Sequence, residues 1–321
     1  ATGAVTLPDA KNVPIKVTMQ TIRLPAPDPK AVTDVNAPDP LASVDPRKIP
    51  ALDIIIRQLY QGADLLGAWS LNIRPTPRGI NLNNLSLGLK GLLLEGSGGW
   101  EGVAGASNSW YRGRIGGGNL ANVLQGWGFA PSVTSEDFKV DIDGRWPGSP
   151  AWIGLNRFSG TIDATLNKGR FVEVDGSTQV VRIFGLLNFN AIGRRLRLDF
   201  SDLFSKGLSY DRVKGFLTAS NGVYRTTSPI LMTGPSTNLE LSGTLNMVSE
   251  QVNAKMLVTL PVTNNLPLAA LLVGGPAAGG AMFLLNKLIG DQVSRFASVQ
   301  YSIQGPWNDP KITFDKPFEK N

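Results

Sequence analysis

The residues here that could do chemistry are scattered carboxylates, a run of arginines and a glycine-rich turn. Asp141 and Asp143 stand two apart, as on one face of a strand, and Asp199 and Asp202 lie near a turn. Paired carboxylates can act as general acid and base or hold a hard cation. The chain has no His and no Cys. That removes the commonest general base, the usual triad base, thiolate zinc sites and disulfides. No catalytic set and no metal site is read from these acids. In IGGGNLA, Gly116, Gly118 and Ala121 outline a dinucleotide fingerprint. The segment before it, SWYRGRI, carries two arginines, and no βαβ unit follows, so it reads as a glycine-rich turn and no cofactor is expected. Arg194, Arg195 and Arg197, in GRRLRLDFSDLF, have two readings: contact with phosphate headgroups, or a solvated polar face.

The elements that must position such groups are mostly strands. Of 321 residues, 42% are hydrophobic and 17% charged, with 36 Gly, against roughly 25% charged in an average globular protein. The net charge of +6 is spread thinly. It argues weakly for nucleic acid, which is not expected as a partner, and somewhat better for an anionic membrane surface. No signal peptide is visible in the first ten residues, and the chain reads as processed or cut from something longer.

Period-two alternation runs through most of the sequence. Trp69, Leu71 and Ile73 face one way; so do Phe158, Ile162, Ala164 and Leu166; Leu239, Leu241, Leu245 and Met247; Val252, Ala254, Met256 and Val258. Each run has one apolar and one polar face, which predicts an antiparallel meander. At Asn83-Asn84 the alternation slips by one residue, as at a β-bulge. IKVTMQTIRL predicts a strand, and the Pro/Asp-rich stretch 25–50 an extended strap. YSIQGPWNDPKITF (301–314) predicts a strand, a turn and a second strand. Helices are expected at 118–128 and 181–196. The apolar stretch 266–285, broken by GGPAAGG, and the stripe of Leu288, Ile289, Val293 and Phe296 predict two further helices with a hinge. Apolar strand faces must be buried by a second sheet, by the far wall of a barrel or by lipid, and periodicity does not separate these.

Three stretches together resemble one family: LLLEGSGGWEG (92–102), residues 180–226 beginning VVRIFGLLNF, and VSRFASVQYSIQGPWNDPKITF (293–314). From about residue 51 onward the chain resembles the C-terminal region of AsmA-like proteins, the TamB-related family of Gram-negative envelope proteins. The resemblance implies a mainly β fold, a long curved antiparallel sheet forming an open, apolar-lined, repeating β-groove with a few short helices near its C-terminal end. It implies residues 1–50 as a strand plus strap, and 51–321 as the groove domain, with a helical insertion at about 264–297 and closing strands at 298–316.

It further implies phospholipid transport across the periplasm between inner and outer membranes. This chain would be the outer-membrane-proximal end of a non-enzymatic conduit, with an inner-membrane anchor in a missing N-terminal part. Phospholipids would be its ligand, and the inner leaflet of the outer membrane or an envelope protein its partner. Groove-face contacts would include Trp69, Leu71, Ile73, Phe158, Ile162, Leu166, Leu241, Leu245, Met256 and Val258. Leu271, Leu272, Phe283, Leu284 and Leu288 would form helices at the groove mouth or a membrane. Arg194, Arg195, Arg197, Lys287 and Arg295 would be headgroup candidates. The alternative is a periplasmic scaffold for outer-membrane proteins, acting through an exposed sheet edge.

Overall fold

A computed structural model describes all residues except 9, 11–12, 27–36, 128, 173–207, 236, 263–282, 290–291, 308 and 316–321. Among the described residues the runs of regular alternation are extended. Strands run at Thr2–Thr6 (β1), Ile15–Leu24 (β2), Leu52–Gln61 (β3), Asp64–Thr76 (β4), Gly79–Leu89 (β5), Leu92–Val103 (β6), Ala106–Gly117 (β7), Asp137–Pro147 (β8) and Ser159–Phe171 (β9). They continue at Leu208–Ser220 (β10), Val223–Thr226 (β11), Ile230–Thr233 (β12), Asn238–Asn246 (β13), Gln251–Val262 (β14), Phe283–Ile289 (β15), Gln292–Pro306 (β16) and Lys311–Phe314 (β17). One short α-helix, α1 (Leu120–Gly126), is present among the described residues, capped by the Asn119 side chain on the Ala121 amide. These strands form one long, mostly antiparallel sheet, so the chain is mainly β with few helices.

The chain divides into two compact units: residues 1–118, 139–163 and 219–222, and residues 119–138, 164–218 and 223–321. In the first unit β2 pairs with β3 in parallel, Ile15 beside Leu52 and Leu24 beside Gln61. A parallel pair needs a crossover of a dozen or more residues, and the Pro/Asp strap between these strands supplies it. From β3 to β7 every neighbour is antiparallel. The expected bulge is present: the register between β5 and β6 shifts between Leu82 and Leu85, and Asn84 has a left-handed φ of 48°. Asn221 (φ 46°) and Gly222 (φ 77°) make the tight turn from β10 into β11, the Asn-Gly pair that such hairpins favour.

In the second unit a cluster of buried side chains lies on one face of β10, β12, β13, β14 and β16. Tyr301 is 1% exposed and Met256 4%. Val133 and Leu120, from the α1 connection, pack on this cluster. Tyr210 ties the connection down: its hydroxyl donates to the Thr134 carbonyl (2.6 Å), and its ring lies 5.3 Å from that of Phe171. The strand pair read from residues 301–314 is present, with Tyr301 opposite Phe314 and Gln304 opposite Lys311.

The helical reading of the stripe from Leu288 to Phe296, and of the end of the stretch 266–285, is corrected. Phe283, Leu284, Lys287 and Leu288 lie on strand β15, and Arg295 on strand β16, with Phe283 opposite Ser298 and Ile289 opposite Gln292. The spacing of Leu288, Ile289, Val293 and Phe296 looked helical. Yet pairing of β16 with β14, from Arg295 opposite Val262 to Pro306 opposite Gln251, supplies ladder bonds that an isolated helix there would forgo. Leu271, Leu272, Arg194, Arg195 and Arg197 lie outside the described residues, as does the whole of the helix expected at 181–196.

Candidate functional site

Side chains directly opposite one another in a sheet share a face. In the first unit this rule assembles an apolar surface rung by rung. Leu52, Ile73, Leu82, Gly98 and Tyr111 form one rung; Ile56, Trp69, Leu87, Leu94 and Ile115 form another. The opposite face is polar, with rungs such as Asp53, Asn72 and Asn83. It is laced by ion pairs: Arg74 to Asp53 (2.6 Å), Arg112 to Asp143 (2.8 Å) and Arg114 to Asp141 (2.7 Å). Asp141 and Asp143 are therefore rungs of a charge ladder. Among the described residues no group of acids could hold a metal ion.

The apolar surface is unevenly covered. Ile80 and Trp100 are 3% exposed and Phe158 4%. Trp69, Leu71, Ile73, Leu82, Leu87, Leu94, Ile115 and Ile162 are only half-buried. The Trp69 indole donates to the Gly88 carbonyl (3.0 Å), which holds its ring in place. Tyr111 donates its hydroxyl to the Glu95 carbonyl (2.9 Å), and burial pushes its pKa up to about 12, so it stays a neutral donor.

The sequence-predicted groove residues thus separate into two groups. Trp69, Leu71, Ile73 and Ile162 lie half-buried on the apolar face of the first unit, whereas Phe158 is packed with its ring over Gly144. In the second unit Met256 and Val258 are buried in the core cluster, and Leu166, Leu241 and Leu245 pack against it. Sequence reasoning missed Leu82, Leu87, Leu94 and Ile115, whose alternation was readable, and Leu52, Ile54 and Ile56. In that last run Ile55, 48% exposed, sits among apolar neighbours and hides the period.

One end of the first unit's sheet is crossed by the strap. Its one-turn 3-10 helix, Pro46–Lys48, packs on β5 and β6, and Pro46 is buried. The Asp39 carboxylate accepts hydrogen bonds from the Ser149 amide (2.7 Å), the Ser149 hydroxyl (2.6 Å) and the Leu41 amide (2.9 Å). The Trp152 indole donates to the Ala37 carbonyl (2.8 Å). Burial raises the Asp39 pKa, but the Ser149 hydroxyl, the two amides and the nearby Arg157 outweigh it and hold the pKa below 3.8. A depressed folded pKa contributes stability that is present above the unfolded value and lost as pH falls through the folded one. Asp39→Ala should therefore cost about 2–3 kcal/mol at pH 7, because Ser149, 0% exposed, loses its acceptor. In urea melts the difference from wild type should shrink once the pH falls below about 4.

A family model described as YhdP protein matches residues 1–312. Among curated proteins, the intermembrane phospholipid transporter YhdP of Escherichia coli (strain K12) is 26% identical over 219 residues, which is 68% of this chain and 17% of that protein. The chain therefore spans only a small part of the length of that relative. No solved structure matches.

Proposed function

The chain belongs to the YhdP protein family, and from that premise we propose that it is a non-enzymatic surface for phospholipid acyl chains, part of a path that carries lipid between the two membranes of the envelope. The observation that carries this reading is the half-buried apolar face of β3 to β7, backed by a face that carries the charge ladder. A bilayer's hydrocarbon core is about 30 Å thick, so one leaflet's tail spans ~15 Å, or about three strand spacings of ~4.8 Å. Five adjacent strands are wide enough to hold one tail laid across them. Each methylene taken from water contributes ~0.8 kcal/mol, and the contact has no preferred direction, so a tail can be held and still slide.

In this reading Trp69, Leu71, Ile73 and Ile162 touch lipid, as do Leu82, Leu87, Leu94 and Ile115. The chain would work in the periplasm, near the outer membrane, with an inner-membrane anchor elsewhere in the whole protein. Among the described residues no helix is long and apolar enough to cross a membrane.

The test is photocrosslinking in cells from single positions, read by mass spectrometry. Probes at Leu71, Ile73 and Leu87 should capture phospholipid, and probes at Ser70, Asn72 and Ser86 should not. Equal capture from both faces, or capture of protein alone, would overturn the reading.

A further inference from the structure

At the strap end of the first unit lies a cavity of about 890 Å³ whose wall carries four guanidinium groups: Arg47, Arg78, Arg145 and Arg157. One carboxylate, Glu101, stands among the lining. Elsewhere on this unit's polar face the arginines of β7 are matched by acids of β8, Arg114 by Asp141 and Arg112 by Asp143. Continuing that antiparallel register by two residues sets Trp110 opposite Arg145. The ladder thus runs out of acids where the cavity begins, and both Trp110 and Arg145 line it. Arg78, in the turn between β4 and β5, is likewise exposed, and among the described residues neither it nor Arg145 makes an ion pair.

The other two guanidiniums are held in place. Arg47 is gripped by Asp45 through its Nε (3.0 Å) and a terminal nitrogen (2.8 Å). Arg157 stacks 4.1 Å above the Trp152 ring and donates to the Trp152 carbonyl (3.2 Å). Ser109, also in the lining, comes from the opposite side of β7 from Trp110. Its cross-strand neighbour is Trp100, itself opposite Ile80 on the apolar face. The buried Trp100 indole N–H has no acceptor among the described residues. The cavity therefore sits where the apolar face meets a basic rim.

We infer that this cavity takes the phosphodiester headgroup of a phospholipid whose tails lie on the adjoining apolar face. The inference rests on the acyl-chain reading above. Guanidinium forks match phosphate oxygens in planar, two-point contacts. Arg47 and Arg157 supply fixed positive charge, and Arg78 and Arg145 are the arms with no ion-pair partner among the described residues to give up. The volume lies within the usual ~300–1,000 Å³ of ligand sites, more than a lone phosphate needs.

The test uses three probes on the 321-residue chain at low salt: dihexanoyl phosphatidylglycerol, dihexanoylglycerol and inorganic phosphate, followed by calorimetry. Two variants are compared, R78Q/R145Q and Leu71→Glu. Both arginines are exposed, so glutamines should leave the melting temperature unchanged. R78Q/R145Q should weaken phosphatidylglycerol roughly tenfold or more and leave dihexanoylglycerol unaffected. Unchanged phosphatidylglycerol binding by R78Q/R145Q, with loss in Leu71→Glu, would overturn the headgroup site alone. Wild-type protein that binds neither lipid would overturn the acyl-chain reading as well. Inorganic phosphate binding as tightly as the phospholipid, and lost in R78Q/R145Q, would overturn the lipid as occupant and leave a free-phosphate site.

Discussion

Tyr301→Ala should destabilise the second unit by about 3–5 kcal/mol, the cost of removing a large aromatic ring from a packed core. Tyr301 is 1% exposed and packs among the buried side chains on one face of the sheet. It sits on β16 opposite Met256 on β14 and Phe314 on β17, so its ring joins three strands. Burial raises its hydroxyl pKa well above the ordinary 10.0, which keeps it neutral across the working pH range. Whole domains are stable by only about 5–15 kcal/mol, so this is a large fraction of what the unit has. At about 2–4 °C per kcal/mol for a unit of this size, the melting temperature should fall by roughly 6–20 °C. Met256→Asp should do at least as much, since it places a carboxylate without a partner at a position 4% exposed. A melting curve that overlays the wild type for either variant would contradict the packing described here.

Leu71→Glu should abolish lipid capture while leaving the sheet folded. Leu71 has the same alternation as Met256 but a different environment: it is half-buried, beside Ile54 on the apolar face of the first unit. A glutamate there can turn its carboxylate toward solvent, so the cost in stability should stay below about 1–2 kcal/mol. The same carboxylate would interrupt the apolar path, because leaving a charge against an acyl tail costs several kcal/mol. Lipid crosslinked from Ile73 or Leu87 should then fall by an order of magnitude or more, with the melting temperature shifted by only a few degrees. Full lipid capture by a folded Leu71→Glu protein would mean that this face is not the acyl-chain surface.

These two substitutions mark where sequence reasoning stops. Leu71 and Met256 carry the same signal, a place in a run of apolar residues spaced two apart. The signal reports which face a side chain joins and is silent on what covers that face. Cover in the second unit comes from Leu120 and Val133, on a connection far from β14 and β16 in the chain. The strap clamp is equally non-local, since Asp39 and Ser149 are 110 residues apart. The arginine cavity draws on positions 47, 78, 145 and 157, no two of which are neighbours in the sequence.

By itself the sequence determined what depends on neighbours along the chain. Side chains flip at every residue of a strand, so alternation alone marked β4, β9, β13 and β14 as one-faced strands. The slip at Asn83-Asn84 marked the bulge, and the prolines of 25–50 marked a segment unable to join a sheet interior. Tertiary structure alone decided what depends on partners. It set β2 parallel to β3, because a long strap carries the chain back to the same end of the sheet. It made 283–289 a strand, because β16 was already paired along β14 and offered its free edge. It also chose which apolar faces are sealed and which are left open, because burial is settled by whatever folds over a surface, and no periodicity within a strand encodes that.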